Sequence, residues 1–196
     1  MSISLVKGGR INLTKGGDLK KVRVGLGWNP NGTDTGAEFD LDATAFVCSV
    51  DAAGNSKMLA DEYMVFYNNK VSPDGAVKHS GDNRTGGGEG DDETIVVDLT
   101  KINPAAAEVS FIVTIDEAIA RKQNFGQVSA SYIKLYNDET GAELAKYSLE
   151  DDFSTETAVQ FGSLVLKDGH WIFKAVGTGY SKGLADFVVV YGGNLA

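Results

Sequence analysis

Short apolar runs alternate with turn-forming residues along most of the chain. The runs are rich in Val, Ile, Phe and Tyr, and Gly, Asn and Asp separate them. Apolar runs of about five to nine residues with this composition are typical of β-strands. We therefore predict strands over Val22–Trp28, Leu41–Val50, Tyr63–Tyr67, Ile95–Leu99, Val109–Ile115, Val128–Tyr136, Leu144–Leu149, Ala158–Leu166 and Trp171–Val176.

The clearest hairpin signal is Asp168-Gly169, which lies between two apolar runs. Asp-Gly readily adopts the primed turns that join antiparallel strands. Asn137–Gly141 and Asp51–Asn55 have the composition of longer hairpin loops. Only Asp116–Gln123 and Lys182–Tyr191 have the pattern of short helices.

Many short strands separated by turn signals indicate two packed antiparallel sheets. We predict an all-β protein: a β-sandwich of two antiparallel sheets with one or two short helices. The sequence shows no linker or internal repeat, so we expect a single domain over residues 1–196.

The chain is acidic, with a formal net charge of -9 and a sequence pI of about 4.7. This charge disfavours direct binding to nucleic acid, because no basic patch is available to replace phosphate counterions. It also disfavours direct binding to an anionic membrane unless a cation bridges the two surfaces. The chain has no signal-peptide pattern and no run of about 20 apolar residues, so we expect a cytoplasmic protein.

The most unusual segment is an acidic, glycine-rich loop over residues 80–94. It contains five acidic residues and five glycines, and Arg84 is its only basic residue. Carboxylates this close together repel one another unless water or a cation screens them. Glycines let the backbone turn and aim its carbonyl groups inward. Such an all-oxygen environment suits Ca²⁺ better than a transition metal.

A second acidic cluster precedes the run at Leu41–Val50. In an extended strand Asp40 and Asp42 lie on the same face, and Phe39, Leu41 and Ala43 lie on the other. Ca²⁺ takes about 6–8 oxygen ligands, more than the glycine-rich loop alone is expected to supply. We hypothesise that the two acidic segments meet at one end of the sandwich, with Asn68 and Asn69 adding further oxygens.

Other metal and nucleotide motifs fit less well. Residues 82–93 begin with Asp and end with Glu like an EF-hand loop, but Arg84 and Gly86 occupy ligand positions and the flanks are not helical. A phosphate-binding loop needs a lysine and a following helix, and neither is present. Cys48, His79 and His170 lack zinc-ligand spacing. We expect Cys48 in the core and His79 on the surface.

Several motifs together resemble the TerD family of tellurium-resistance proteins. They are Gly25-Leu26-Gly27-Trp28, Phe39-Asp40-Leu41-Asp42-Ala43, Phe66–Lys70 with Ser72–Gly75, and Gly81–Gly86 through Gly90–Glu93. The resemblance continues through Arg121–Gly126, Ser154–Ala158, Trp171–Gly177 and Gly183-Leu184, so it covers essentially the whole chain.

The resemblance implies a cytoplasmic β-sandwich that binds Ca²⁺, with two ions expected, and takes part in resistance to tellurite and other stresses. It implies partners among other tellurite-resistance proteins, including membrane-associated ones. The predicted metal-ligating residues are Asp40, Asp42, Asn69, Asp82, Asn83, Gly86, Gly88, Gly90, Asp91, Asp92 and Glu93. We expect a Ca²⁺-dependent adaptor or scaffold and not an enzyme.

Two alternatives stay open at this point. The carboxylates could serve a metal-dependent enzyme that acts on phosphorylated or nucleotide substrates, with Arg84 or His79 assisting. Direct tellurite sequestration or reduction would have to use Cys48, the single cysteine.

Overall fold

The structure, a computed structural model, describes residues 2–17, 19–29, 38–86, 90–148, 153, 155–181 and 183–194. Within these ranges the chain forms thirteen strands and two short α-helices. The strands are β1 (Ile3–Ser4), β2 (Arg10–Asn12), β3 (Lys21–Gly27), β4 (Leu41–Val50), β5 (Ser56–Met58), β6 (Met64–Val65), β7 (Val77–His79), β8 (Glu93–Asp98), β9 (Glu108–Ile115), β10 (Tyr132–Asn137), β11 (Glu143–Ser148), β12 (Ala158–Lys167) and β13 (His170–Tyr180).

The strands form two sheets, with strand orders β1-β11-β10-β3-β8-β7 and β2-β13-β12-β9-β4-β5; β6 pairs with β4. Adjacent strands are antiparallel, except that β1 pairs with β11 in parallel. Buried side chains of both sheets form a single hydrophobic core that includes Phe46, Phe111 and Phe161 from one sheet and Ile133 and Ile95 from the other. The predicted all-β class with two sheets is therefore confirmed.

The predicted Asp-Gly hairpin is present between β12 and β13. Asp168 and Gly169 have φ values of 51° and 77°, the positive angles that a type I′ turn requires at both positions. Both predicted helices are present but shorter than predicted, as α1 (Ala118–Arg121) and α2 (Leu184–Val190).

Some strand predictions need correction. Most of the segment predicted at Tyr63–Tyr67 is not strand, because Asp61–Tyr63 forms a 3-10 turn and only β6 follows it. β10 starts four residues later than predicted, after a 3-10 turn at Phe125–Gln127 and after Ala130, whose φ of 55° is incompatible with a strand. The short strands β1, β2, β5 and β7 were not predicted.

Pairing between β4 and β9 sets the geometry next to the first acidic cluster. Leu41 lies opposite Ile115, and the backbone N–H of Asp116 donates a hydrogen bond to the carbonyl oxygen of Asp40 at 2.8 Å. The acidic glycine-rich loop connects β7 with β8 in the other sheet. No helix in the described part of the chain is long and apolar enough to cross a membrane.

Candidate metal centre

Three carboxylates from the two acidic segments meet at one end of the sandwich. Asp40 and Asp42 lie at the start of β4, and Asp82 lies in the loop after β7. One carboxylate oxygen from each residue lies within 4.8 Å of those of the other two. Asp40 and Asp42 are buried, with 5% and 7% of their surface exposed, whereas Asp82 is exposed. This group, the Asp40–Asp42–Asp82 cluster, could hold a metal ion.

Burial makes the cluster electrostatically costly. The pKa of Asp42 is raised to about 8, mainly by burial and in addition by the charges of Glu93, Asp40, Asp116 and Asp82. Burial also raises the pKa of Asp40, against the lowering effect of its hydrogen bond with Arg84. A bound cation would stabilise the ionised carboxylates, as would any opposite charge at this distance.

Asp40 supplies a second observation that fits a cation. Its Oδ1 atom is fully buried and has no hydrogen-bond partner among the described residues. A buried carboxylate oxygen without a partner is costly, so such an atom calls for an explanation. The donors are carboxylate oxygens throughout, and this chemistry fits a hard divalent cation such as Ca²⁺ or Mg²⁺ better than zinc or copper.

Arg84 is the only basic side chain paired with the cluster in the described part of the chain. Its Nε atom lies 3.3 Å from Oδ2 of Asp40, while most of its side chain is exposed to solvent. Arg84 therefore neutralises one side of Asp40 and leaves Oδ1 free of a charged partner.

The remaining predicted ligands lie in different surroundings. Both carboxylate oxygens of Glu93 accept backbone hydrogen bonds, from Ala43 at 2.8 Å and from Asn83 at 3.2 Å. Asp92 accepts from the backbone N–H of Trp28 and from the side-chain amide of Asn83, both at 3.0 Å. Asn83 and Asp92 thus bond to each other, and Asn83 also bonds to Glu93. Their roles as ligands stay predictions.

Asp91 has partners outside this network. It forms an ion pair with Arg23 at 3.2 Å and accepts hydrogen bonds from the hydroxyl groups of Tyr132 and Tyr136. Burial and the charge of Asp91 together raise the pKa of Tyr136 to about 12. The carbonyl oxygen of Gly90 also accepts from Tyr132, at 3.1 Å.

Two further predicted ligands have structural contacts of their own. The side-chain amide of Asn69 donates to the backbone carbonyls of Glu62 and Met64. Gly86 packs against the indole of Trp28, where any Cβ atom would overlap the ring. Gly88 lies outside the described residues.

His79 differs from the expectation of a surface position. It is buried, and its Nε2 lies 3.4 Å from Oε2 of Glu93. Its two ring nitrogens lie within hydrogen-bond distance of the backbone at Ala43 and Gly81.

Asp116 belongs to the electrostatic surroundings of the cluster, although the sequence patterns did not single it out. Its charge raises the pKa of both Asp40 and Asp42. The signal that could have found it is strand register, because Asp116 follows β9 directly and β9 pairs with β4.

A cavity of about 530 Å³ adjoins the cluster. Asp42 and Asp116 lie on its wall together with the apolar side chains of Ile115, Ile119 and Leu184. Ile119, in the four-residue helix α1, is 80% exposed. The cluster therefore borders a partly apolar surface that is open to a partner or ligand.

These features define a β-sandwich with a cluster of three carboxylates at one end that could hold a cation. A family model described as "TerD domain" matches residues 1–191, and the chain belongs to the TerD family.

The chain is 49% identical over 195 residues to tellurium resistance protein TerD of Serratia marcescens, covering 99% of each chain. It is 47% identical over 193 residues to general stress protein 16U of Bacillus subtilis, covering 98% of each. A crystal structure of a homologue of telluride resistance protein (TerD) from Streptomyces coelicolor superimposes with a TM-score of 0.72 at 27% identity, covering 86% of this chain and 95% of that one. These relatives are named for resistance or stress.

Proposed function

We propose that this protein is a Ca²⁺-binding adaptor of a tellurite and general stress response that acts in the cytoplasm. The observation that carries the proposal is the buried Oδ1 atom of Asp40, which has no described hydrogen-bond partner and lies in a cluster of three carboxylates. A divalent cation would give this oxygen a partner and offset the repulsion between the carboxylates. The family resemblance leads us to expect two bound ions, and the titration described next also counts them.

Calorimetric titration of metal-stripped protein with Ca²⁺ tests the ion, with Mg²⁺ as the competing ion. We expect Asp42→Asn to abolish most of the Ca²⁺ binding, because it replaces a buried carboxylate of the cluster with a neutral amide. Asp168→Asn is the matched control, since Asp168 is exposed in a hairpin turn whose left-handed conformation Asn also tolerates. Stripped protein that takes up no Ca²⁺ at millimolar concentration would overturn the proposal.

The adaptor role rests on the partly apolar cavity beside the cluster. Ca²⁺ would neutralise Asp42, which lines this cavity. A partner could then cover Ile119 and Leu184 without burying an unpaired carboxylate. We propose other tellurite-resistance proteins as the partners, including membrane-associated ones.

Binding to purified tellurite-resistance proteins of the same organism, with Ca²⁺ or with chelator, tests this role. Ile119→Ser should weaken the Ca²⁺-dependent complex at least several-fold. Val190→Ser should leave it unchanged, because Val190 is also highly exposed (69%) but does not line the cavity. Binding that ignores both Ca²⁺ and Ile119 would exclude this surface as the adaptor site.

A further inference from the structure

The backbone of Ala43, next to Asp42, is held by two side chains from the opposite sheet. Its N–H donates to Oε2 of Glu93 at 2.8 Å, and its carbonyl oxygen lies 3.0 Å from Nε2 of His79. Ala43 lies opposite Val113 of β9 on one edge of β4. On the other edge β6 pairs with Ala45 and Phe46, and no strand in the described part of the chain pairs with Ala43 on that edge. Glu93 and His79 therefore bond the backbone groups that a neighbouring strand would otherwise take.

The same two side chains also hold the loop that carries Asp82. Oε1 of Glu93 accepts the N–H of Asn83 at 3.2 Å, and Nδ1 of His79 accepts the N–H of Gly81 at 2.9 Å. Gly81 and Asn83 flank Asp82 directly. One buried pair thus fixes the backbone on both sides of Asp82 and immediately after Asp42.

The hydrogen bonds define the state of the imidazole ring. A carbonyl oxygen only accepts, so Nε2 carries the hydrogen; an amide N–H only donates, so Nδ1 carries the lone pair. His79 is therefore a neutral linker that donates at one nitrogen and accepts at the other. The side chains of His79 and Glu93 are both fully buried, so solvent does not compete for their hydrogen bonds.

We infer that Glu93 and His79 are positioning residues of the Asp40–Asp42–Asp82 cluster, which hold its carboxylates at ion-binding spacing before the ion arrives. This inference rests on the proposed Ca²⁺ binding and replaces the ligand role predicted for Glu93. Both oxygens of Glu93 are already committed to backbone amides. Partners of this kind, which orient ligands without touching the metal, typically change metal affinity by about 10–100-fold.

The central experiment compares Glu93→Gln with wild type in two measurements. Ca²⁺ affinity should fall by about 10–100-fold, while the number of water molecules on a bound Eu³⁺ ion, read from its luminescence lifetime, should stay the same. A ligand role for Glu93 would instead add water to the ion when the carboxylate is removed. An increase in bound water, or an unchanged affinity, would overturn the inference.

The stability of the metal-free protein is an independent test. Substituting a positioning residue should lower the urea midpoint, whereas substituting a metal ligand should raise it. Glu93→Gln should lower the urea midpoint of the metal-free protein, because one of the two backbone amides loses its acceptor and this loss outweighs the relieved repulsion of Asp42. Asp42→Asn should raise the midpoint, because the amide replaces a buried carboxyl group whose ionised form the neighbouring carboxylates repel. A metal-free Glu93→Gln protein that is more stable than wild type would show that Glu93 acts as one more repelling ligand.

Two further variants keep the test decisive if Glu93→Gln folds poorly. His79→Gln retains an N–H donor for Ala43 but has no acceptor at the position of Nδ1 for Gly81, and should weaken Ca²⁺ binding at least several-fold without changing the number of water molecules on the bound ion.

Asp98→Asn controls for general destabilisation, since Asp98 is a buried carboxylate of β8 that bonds Thr100 outside the cluster. It should lower the urea midpoint and leave Ca²⁺ affinity intact.

The proposed function and the positioning role of Glu93 and His79 can be overturned separately. Wild-type protein that binds neither Ca²⁺ nor Eu³⁺ overturns the proposed function and the positioning role together. Wild-type protein that binds Ca²⁺, with both Glu93→Gln and His79→Gln binding equally tightly, overturns only the positioning role.

Discussion

The indole Nε1–H of Trp28 donates a hydrogen bond to the carbonyl oxygen of Phe39, with 3.1 Å between the two atoms. The backbone N–H of Trp28 also donates to Asp92. Trp28 therefore connects three segments: the end of β3, the residues before β4 and the acidic glycine-rich loop. Its position is further limited by Gly86, whose backbone packs against the indole with a φ of 63°.

We expect Gly86→Ala to destabilise the protein by more than the usual cost of a left-handed alanine, which is about 1–2 kcal/mol. The added methyl group would overlap the indole and displace either Trp28 or the loop. Gly54→Ala is the matched control, because Gly54 also has a positive φ but has open space around its Cβ position. Urea denaturation of both variants measures the difference, and equal losses would mean that the indole contact adds nothing.

Asp42 should make the stability of the metal-free protein depend on pH. Burial raises its pKa to about 8 from an ordinary 3.8, with Glu93, Asp40, Asp116 and Asp82 adding to the shift. Between these values the folded protein holds a proton that the unfolded chain has released. The metal-free protein therefore loses stability as pH rises from about 4 to about 8, by a few kcal/mol at most.

Asp42→Asn should flatten this dependence, and denaturation of stripped protein at several pH values checks it. Ca²⁺ must displace the same proton, so wild-type affinity should weaken by up to about tenfold per unit as pH falls below 8. A metal-free protein whose stability gains nothing from Asp42→Asn at pH 8 would contradict the assigned environment of Asp42.

Arg84 should oppose cation binding. Its guanidinium lies 3.3 Å from Asp40 and repels any divalent ion beside that carboxylate. We expect Arg84→Gln to tighten Ca²⁺ binding by about two- to fivefold at low salt and to have little effect at high salt, because the side chain is mostly exposed and its charge is screened.

Arg10→Gln is the control for net charge, since Arg10 is exposed on β2, separated from β4 by three strands of the same sheet. Calorimetry at two salt concentrations distinguishes the variants. Weaker binding in Arg84→Gln would mean that Arg84 organises the site instead of competing with the ion.

Cys48 should be unreactive in the native protein. It is fully buried in β4, and burial, together with the nearby charge of Glu108, raises the pKa of its thiol. Because the thiolate is the reactive form, iodoacetamide should label Cys48 only after unfolding. We also expect Cys48→Ala cells to keep their tellurite resistance, and loss of resistance by a stably folded variant would restore the option of thiol chemistry.

Strand positions could be predicted from the sequence wherever apolar runs were long. Leu41–Val50 was predicted with the bounds that β4 has, because a long run of its residues, Leu41–Cys48, is buried. Strands of two or three residues carry too few positions for a period to emerge, so β1, β2, β5 and β7 were missed. Their existence depends on tertiary pairing with long strands elsewhere in the chain.

The chemistry of the site and the meeting of its two acidic segments could be predicted, but the surroundings of each acidic residue could not. Charge and glycine content identified the two acidic segments, and the structure places Asp82 beside Asp40 and Asp42. Composition does not distinguish one acidic residue in the loop from another, whereas in the structure they differ in burial and in hydrogen-bond partners. Asp91 bonds Arg23 and two tyrosines, and Glu93 bonds the backbone. Asp116 could be placed near the cluster only once the register between β4 and β9 was known.

Residues 2–12 contribute an edge strand to each of the two sheets. β1 extends one sheet through its pairing with β11, and β2 extends the other through its pairing with β13. Losing this segment would expose two rows of unpaired backbone groups at once, and such rows recruit strands from other molecules. N-terminal truncation is therefore expected to cause self-association at concentrations where the full chain stays dispersed, an outcome that light scattering would detect.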